Sequence, residues 1–316
     1  MKAVAYGRYG SPDVLSVEDV PIPAPGPKQI LVAVAATSVN RSDWEALTGS
    51  PAYARLGGLY SPSRRVIGSD IAGRVAAIGS GVTRFRLGDE VYGDNLNLMG
   101  GFAEYAVAAE ASFVHKPPEL TFVQASALPQ AAAIARQGTA KVASGARVLV
   151  NGGGGGAGSF AIQLAKLAGA HVTGVDNAAK LSFMLAVGAD AVVDYRTQDF
   201  TRLGRFDLIL DLVAHRSMFA YFRALAPRGR YLCVGGTARA LLRVATVGAG
   251  LGLVTGRRLG LLIAGQGPAH FKPVADRCIS GEVQIHVDRT YPLDETPRAL
   301  AYLGEGRARG KVVITP

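Results

Sequence analysis

Between Val148 and Phe160 the chain reads Val-Leu-Val-Asn-Gly-Gly-Gly-Gly-Gly-Ala-Gly-Ser-Phe, an apolar strand pattern that runs into a glycine turn and then into an apolar-periodic helix. The alternative is a flexible glycine-rich loop, and the flanking elements decide between the two. Gly153, Gly155 and Gly158 fit G-x-G-x-x-G, in which the first glycine permits a tight turn, the second lets a pyrophosphate approach, and the third lets helix and strand pack closely. A strand over Arg147 to Val150 precedes the turn, a helix around Phe160 to Ala168 follows, and His171 to Val175 reads as the next strand, ending in Asp176. This is a βαβ unit. Gly156, Ala157 and Gly158 complete the turn that leads into this helix, whose unpaired N-terminal N–H groups and positive dipole end suit a pyrophosphate. Asp176 lies about 20 residues beyond the glycines, where a carboxylate accepts from the adenosine ribose hydroxyls.

The rest of the chain frames this unit. With 316 residues there is material for two domains, each with its own core. Cys233 and Cys278 are the only cysteines and form no C-x-x-C pair, which argues against a disulfide framework and a structural zinc lobe and fits a reducing cytoplasm. The start, Met1-Lys-Ala-Val-Ala-Tyr6, has a strand pattern and no signal-peptide character. A formal net charge of +10 comes mostly from scattered arginines, so it reads as a basic surface that attracts an anionic cofactor, and no nucleic-acid partner is expected. Leu241 to Gly265 is apolar over a span-like length, but Arg243, Arg257 and Arg258 and its glycines interrupt it. The expectation is a buried helix plus strand, with peripheral membrane contact or a dimer face as the alternative.

Strand patterns at Val14 to Val17, Gln29 to Ala36, Gly73 to Ile78 and Glu90 to Gly93 make the first part β-rich, and the proline-rich Pro21 to Pro27 must be a loop. From Phe122 onward helical segments alternate with short apolar strands at Val148, Val172, Ala191, Leu208 and Tyr231, with another near Leu259 to Ala264. That alternation predicts a parallel, doubly wound sheet. A terminal strand in Gly310 to Thr315 can rejoin the first domain. The expected fold class is therefore α/β: a Rossmann domain over residues 123–285 inserted into a discontinuous β-rich domain, 1–122 with 286–316, and the chemistry is expected in a cleft between them.

Further motifs carry a resemblance over nearly the whole chain: Ser38-Val-Asn40-Arg-Ser-Asp43-Trp44, Gly68-Ser-Asp70-Ile-Ala-Gly73, the run from Gly81 to Gly93, Gly101-Phe-Ala-Glu-Tyr105, the glycine turn and Gly310-Lys-Val-Val-Ile314. The chain resembles the medium-chain dehydrogenases and reductases, and within them the zinc-free branch around the quinone oxidoreductases. The resemblance implies a GroES-like catalytic domain, an NAD(P)H cofactor and a homodimer. In the zinc alcohol dehydrogenases of the superfamily a cysteine stands where this chain has Asn40, and a His-Glu pair where it has Ser69 and Asp70. Asn and Ser are poor zinc ligands, so no metal is expected here.

Without a Lewis acid, hydride delivery to a C=C conjugated with a carbonyl, or to a quinone, is favoured over alcohol oxidation. Negative charge then develops on the carbonyl oxygen. Asn40 is the first candidate to donate a hydrogen bond there, the alternative being a structural asparagine in a turn. By its place in related quinone reductases, Tyr53 is the second, the alternative being a half-buried aromatic. Asp43 is expected to cap a helix beginning at Trp44. Asp176 favours NADH by repelling a 2′-phosphate, whereas Lys180 and Tyr195 match the residues with which relatives read that phosphate; the balance leans to NADH. Val213, Val234, Gly235 and Gly236 match segments that close the nicotinamide site in relatives through backbone contacts. Ile134 and Arg136 replace the Thr and Leu common there. Besides the enone or quinone reductase, a tailoring enoyl reductase, a zinc-free alcohol dehydrogenase and a nucleotide-binding scaffold with little turnover remain open.

Overall fold

The computed structural model describes residues 1–56 and 58–316, and of residues 253–255 the backbone alone. The chain divides into two units, one of Met1–Ala131, Gln266–Ser280 and Ile285–Pro316, the other of Ala132–Gly265 and Gly281–Gln284.

In the first unit, β1 (Lys2–Ala5) pairs antiparallel with β2 (Ser16–Asp19). The strand expected at Val14 starts later, because Pro12, which fixes its own φ, opens a 3-10 turn over Pro12–Val14. β3 (Gln29–Val39) is an eleven-residue strand of aliphatic and small residues, most of them buried, as a central strand requires. It hands over at Asn40 to α1 (Arg41–Thr48), which ends at Gly49 in the left-handed region, φ 60°. β4 (Asp70–Ile78), β5 (Glu90–Asp94), β6 (Tyr105–Ala109) and β7 (Phe113–His115) follow, then α2 (Phe122–Ser126) and α3 (Pro129–Thr139).

The second unit holds β8 (Arg147–Asn151), α4 (Gly156–Leu167), β9 (His171–Asp176), α5 (Leu181–Ala186), β10 (Ala191–Asp194), β11 (Phe206–Asp211), α6 (Met218–Ala224), β12 (Leu225–Cys233), α7 (Ala238–Arg243), α8 (Ala249–Thr255) and β13 (Arg258–Leu261). Its six strands run in the order β10-β9-β8-β11-β12-β13, every neighbouring pair parallel. This is the doubly wound order that the alternating pattern predicts. Leu149, Val175, Ile209 and Tyr231 from its strands pack with Phe200 and Tyr221, whose ring lies 4.4 Å from that of Tyr231.

Returning to the first unit, the chain adds α9 (Pro268–Ile279), β14 (Val287–Pro292), α10 (Thr296–Gly304) and β15 (Lys311–Thr315). The seven-stranded sheet there includes the path β14-β15-β3-β4-β5-β7, with β6 also on β3. The terminal strand does rejoin this sheet, and its register sets Val312 opposite Val39. That pairing carries Lys311 to the residue after Val39. In the stretch from Leu241, α7, a π-helical turn and α8 lead into β13, and Leu242 and Val247 are exposed rather than buried. Among the described residues no helix is long and apolar enough to cross a membrane.

Candidate active site

In the second unit the glycine turn has the predicted form. Gly152 and Gly153 donate to Val175 O across the β8–β9 pair, and Gly155 caps α4 from an extended conformation. The first-turn N–H groups of Gly156, Ala157 and Gly158 lack intrahelical acceptors, as in every α-helix. A Cβ on Gly158 would stand 2.2 Å from Gly152 O, whereas one on Gly155 would meet nothing nearer than 3.5 Å. The third glycine is thus required by packing, and the second leaves open space. Such a cradle suits a pyrophosphate.

Asp176, at the end of β9, accepts from Gly154 N at 3.1 Å and from Asn177 N at 2.9 Å, and Lys180 Nζ lies 3.5 Å from its carboxylate. Both side chains are buried. The lysine stem lies across the turn, since a Cβ on Gly154 would come within 2.5 Å of Lys180 Cδ. A side chain at Gly154 would therefore collide with this stem unless it moved. Tyr195 is half-buried, its ring edge-on to His215 with the Arg196 guanidinium over it. Val213 is held by Asp211, which sequence reasoning missed. Asp211 Oδ1 accepts from Asn151 Nδ2 (2.8 Å), Val213 N (3.0 Å) and Ala214 N (2.8 Å), and Tyr231 donates to Oδ2 at 2.9 Å. Val234 N donates to Asp211 O, and Gly236 takes a positive φ of 130°. An aspartate ending an apolar strand was the available signal.

In the first unit, Asn40, Ser69 and Asp70 come together. Asn40 is the N-cap of α1, which begins at Arg41, so Asp43 is not the cap but sits one turn in and accepts from Asn40 N at 2.7 Å. Asn40 Nδ2 donates to Asp70 Oδ2 at 2.9 Å and to Ser69 Oγ at 3.2 Å. Its Oδ1 accepts from Lys311 Nζ at 2.5 Å. A lysine has only donors, so this bond fixes which end of the amide is oxygen. Both amide hydrogens are therefore in use, and the side chain is only 7% exposed.

Around this trio, Asp70 also accepts from Ser38 Oγ, Gln130 N and Lys311 Nζ, and Gln130 Nε2 donates to Ser69. Burial pushes the Asp70 carboxyl up, and Lys311, Asn40 and Gln130 push it back down. Asp94 is raised to about 7 by burial and then by the Asp70 charge, and Asp43 to about 7 chiefly by burial. Gln130, Asp94 and Lys311 were not legible as members of the set. Tyr53 lies on a 3-10 turn beyond α1, is 38% exposed, and donates to Glu45 Oε2 at 3.0 Å on the second turn of the helix that Asn40 caps.

Zinc does not fit these residues. An amide, a hydroxyl and one carboxylate are a poor donor set, and the Lys311 ammonium already binds two of the three. Among the described residues no group of three or more His, Cys, Asp and Glu side chains could hold a metal.

A doubly wound parallel sheet with a glycine turn at the start of α4 defines the class of dinucleotide-binding α/β proteins. Residues 26–119 match the alcohol dehydrogenase GroES-like domain and residues 187–314 the zinc-binding dehydrogenase family. The chain is 33% identical, over its full length and 79% of the relative, to 2-methylene-furan-3-one reductase of Solanum lycopersicum. It is 30% identical, again over its full length and 80% of the relative, to the chloroplastic NADPH-dependent alkenal/one oxidoreductase of Arabidopsis thaliana. The quinone oxidoreductase of Coxiella burnetii superposes with a TM-score of 0.90 over 100% of this chain and 99% of that one, at 29% identity. This chain belongs to the medium-chain dehydrogenases and reductases, with the GroES-like and dinucleotide-binding parts that define them.

Proposed function

We propose that this protein is a zinc-independent NAD(P)H-dependent reductase of activated C=C bonds, taking enones or quinones. The observation that carries the reading is the Asn40, Ser69, Asp70 and Lys311 cluster, which offers oriented hydrogen bonds where metal-dependent relatives hold zinc. The names of the Solanum, Arabidopsis and Coxiella proteins support the substrate class. When bound, reduced nicotinamide supplies a hydride to the carbon β to the carbonyl.

The chain's own residues answer the charge that then gathers on the carbonyl oxygen. Asn40 serves as donor by exchanging one of its bonds. The bond to Ser69 is the longer, and Ser69 Oγ keeps Gln130 as a second donor, so releasing it leaves no buried acceptor unpaired. The bond to Asp70 stays and holds the amide in place. Tyr53, exposed beside α1, orients the carbonyl by turning its hydroxyl from Glu45. Gly155 to Gly158 receive the pyrophosphate.

For the dinucleotide, we favour NADH. Lys180 is drawn to Asp176 and is not free to meet a 2′-phosphate, while the Asp176 carboxylate faces the position where that phosphate would bring like charge. Exposed Leu242, Val247, Leu261 and Ile263, next to or on the β13 edge, support self-association as a homodimer.

The test follows oxidation of NADH and NADPH with a panel of quinones and α,β-unsaturated ketones, for wild type and Asn40→Ala. Turnover that falls by about 10²-fold without Asn40 is expected. Dinucleotide binding with no oxidation across the panel would replace the reductase by a nucleotide-binding scaffold.

A further inference from the structure

The cluster contains a cation that the reaction does not consume. Lys311 opens β15, and the antiparallel register of β15 on β3 sets it beside Asn40, from which it is 271 residues distant in sequence. Its side chain is only 3% exposed. Three buried carboxylates, Asp43, Asp70 and Asp94, stand in the same cluster, and among their described ion pairs Lys311 supplies the one cation, 3.3 Å from Asp70 Oδ2. Taking an ammonium this far from water is costly unless its hydrogen bonds do something specific.

We propose that Lys311 is a positioning residue for the reduction: its ammonium, as the resident cation of the cluster, locks the Asn40 amide with Nδ2 turned to Ser69 and Asp70 and Oδ1 turned away. A free amide has two orientations related by a flip, and only one presents a donor. With Lys311 at Oδ1 the flipped form would set N–H against N–H, and the amide has one orientation. Asp70 completes the lock, because it accepts from the other amide hydrogen and is tied to the same ammonium. The cation here never touches the carbonyl oxygen. It acts on the barrier through Asn40, and it has no part in holding the dinucleotide.

This inference rests on the reductase reading and on the donor role of Asn40, so its test separates the two. Lys311→Met keeps the length of the side chain and removes the charge. Expected are a folded protein by thermal melt, a dissociation constant for NADH within about twofold of wild type, and kcat with the best enone lower by about tenfold or more. In the Asn40→Ala background, Lys311→Met is expected to lower kcat no further than about twofold, since residues acting as one unit are not additive. Losses that multiply, or a single variant as fast as wild type, overturn the proposal.

A second measurement needs no stable variant at 311. With 15N-asparagine labelling and assignment by the signal missing in Asn40→Ala, the two side-chain amide protons of Asn40 should exchange with water far more slowly than those of exposed asparagines. Exchange at the exposed rate overturns the lock. If Asn40→Ala leaves kcat unchanged while the amide is protected, the donor role fails and the lock stands.

Discussion

Gly155 and Gly158 sit three residues apart in one turn, yet their methyl derivatives should fail in different ways. A Cβ at Gly158 would meet Gly152 O at 2.2 Å and Gly153 Cα at 2.7 Å, all of it backbone. Restoring ordinary contact requires the turn to move by more than an ångström, and no side chain is available to swing aside. Overpacking of this kind costs about 1–3 kcal/mol, and backbone partners place it at the upper end. Alanine's better helix propensity returns at most about 1 kcal/mol, so the net is a loss of roughly 1–2 kcal/mol. At Gly155 the nearest atom would be 3.5 Å away and φ is −89°, a conformation alanine adopts freely. Gly155→Ala should therefore keep its stability, or gain up to about 1 kcal/mol from a stiffer unfolded chain. Its methyl group would instead occupy the space through which the pyrophosphate approaches, and the dissociation constant for the dinucleotide should rise by about tenfold or more. Urea unfolding and dinucleotide titration on both variants give four numbers. Gly158→Ala as stable as wild type, or Gly155→Ala binding as tightly, would refute the assignment of packing to one glycine and ligand approach to the other.

Three further outcomes follow from the buried charges. Asp176→Ser should free Lys180 and shift the ratio of kcat/KM for NADPH over NADH upward by about tenfold or more, measured with one enone; an unchanged ratio removes Asp176 as the discriminating group. Asp94 has a folded-state carboxyl raised to about 7 from 3.8, so its proton stabilises the fold below that range and the benefit is lost as pH rises through about 7. The stability of wild type relative to Asp94→Asn should thus fall between pH 5 and pH 7 by about 1 kcal/mol per pH unit; taking the difference cancels the opposite trend from His215 and His286, whose protonation burial disfavours, and a flat difference would show Asp94 to be ionised throughout. Asp211→Ala leaves three donors around Oδ1 unpaired and should cost about 3 kcal/mol or more in urea unfolding, whereas Asp211→Asn keeps Oδ1 and lets the Tyr231 hydroxyl turn to accept from the new amide; equal losses would mean the carboxylate charge, not its hydrogen bonds, holds the Val213 loop.

What the sequence disclosed and what it concealed divides along the distance between partners. The β8, glycine turn, α4 and β9 unit is legible because each of its requirements, apolar strand, tight turn, close helix contact and terminal acid, lies within one stretch of chain. Asn40 and Asp43 are both capping types three residues apart, and the cap expected at Asp43 falls instead at Asn40, which the hydrogen bond from Asn40 N to Asp43 shows to stand outside the helix. Lys311 begins the run Lys-Val-Val-Ile-Thr, where a charged first residue reads as the solvated end of a strand, and nothing local reveals that β3 and β4 bury it against Asn40 and Asp70. Asn40 itself was legible as a donor, but not as a donor whose hydrogens are both engaged. That difference changes the chemistry. A free amide would have to be oriented by the substrate at the moment of reaction; under the proposed donor role, an amide already held by Lys311 and Asp70 has lost that rotational freedom on folding, and would need only to trade the Ser69 hydroxyl for a carbonyl oxygen on which negative charge is growing. On that proposal the exchange would be downhill for the transition state and nearly neutral for the ground state, because a charged acceptor takes the stronger hydrogen bond and Ser69 retains Gln130.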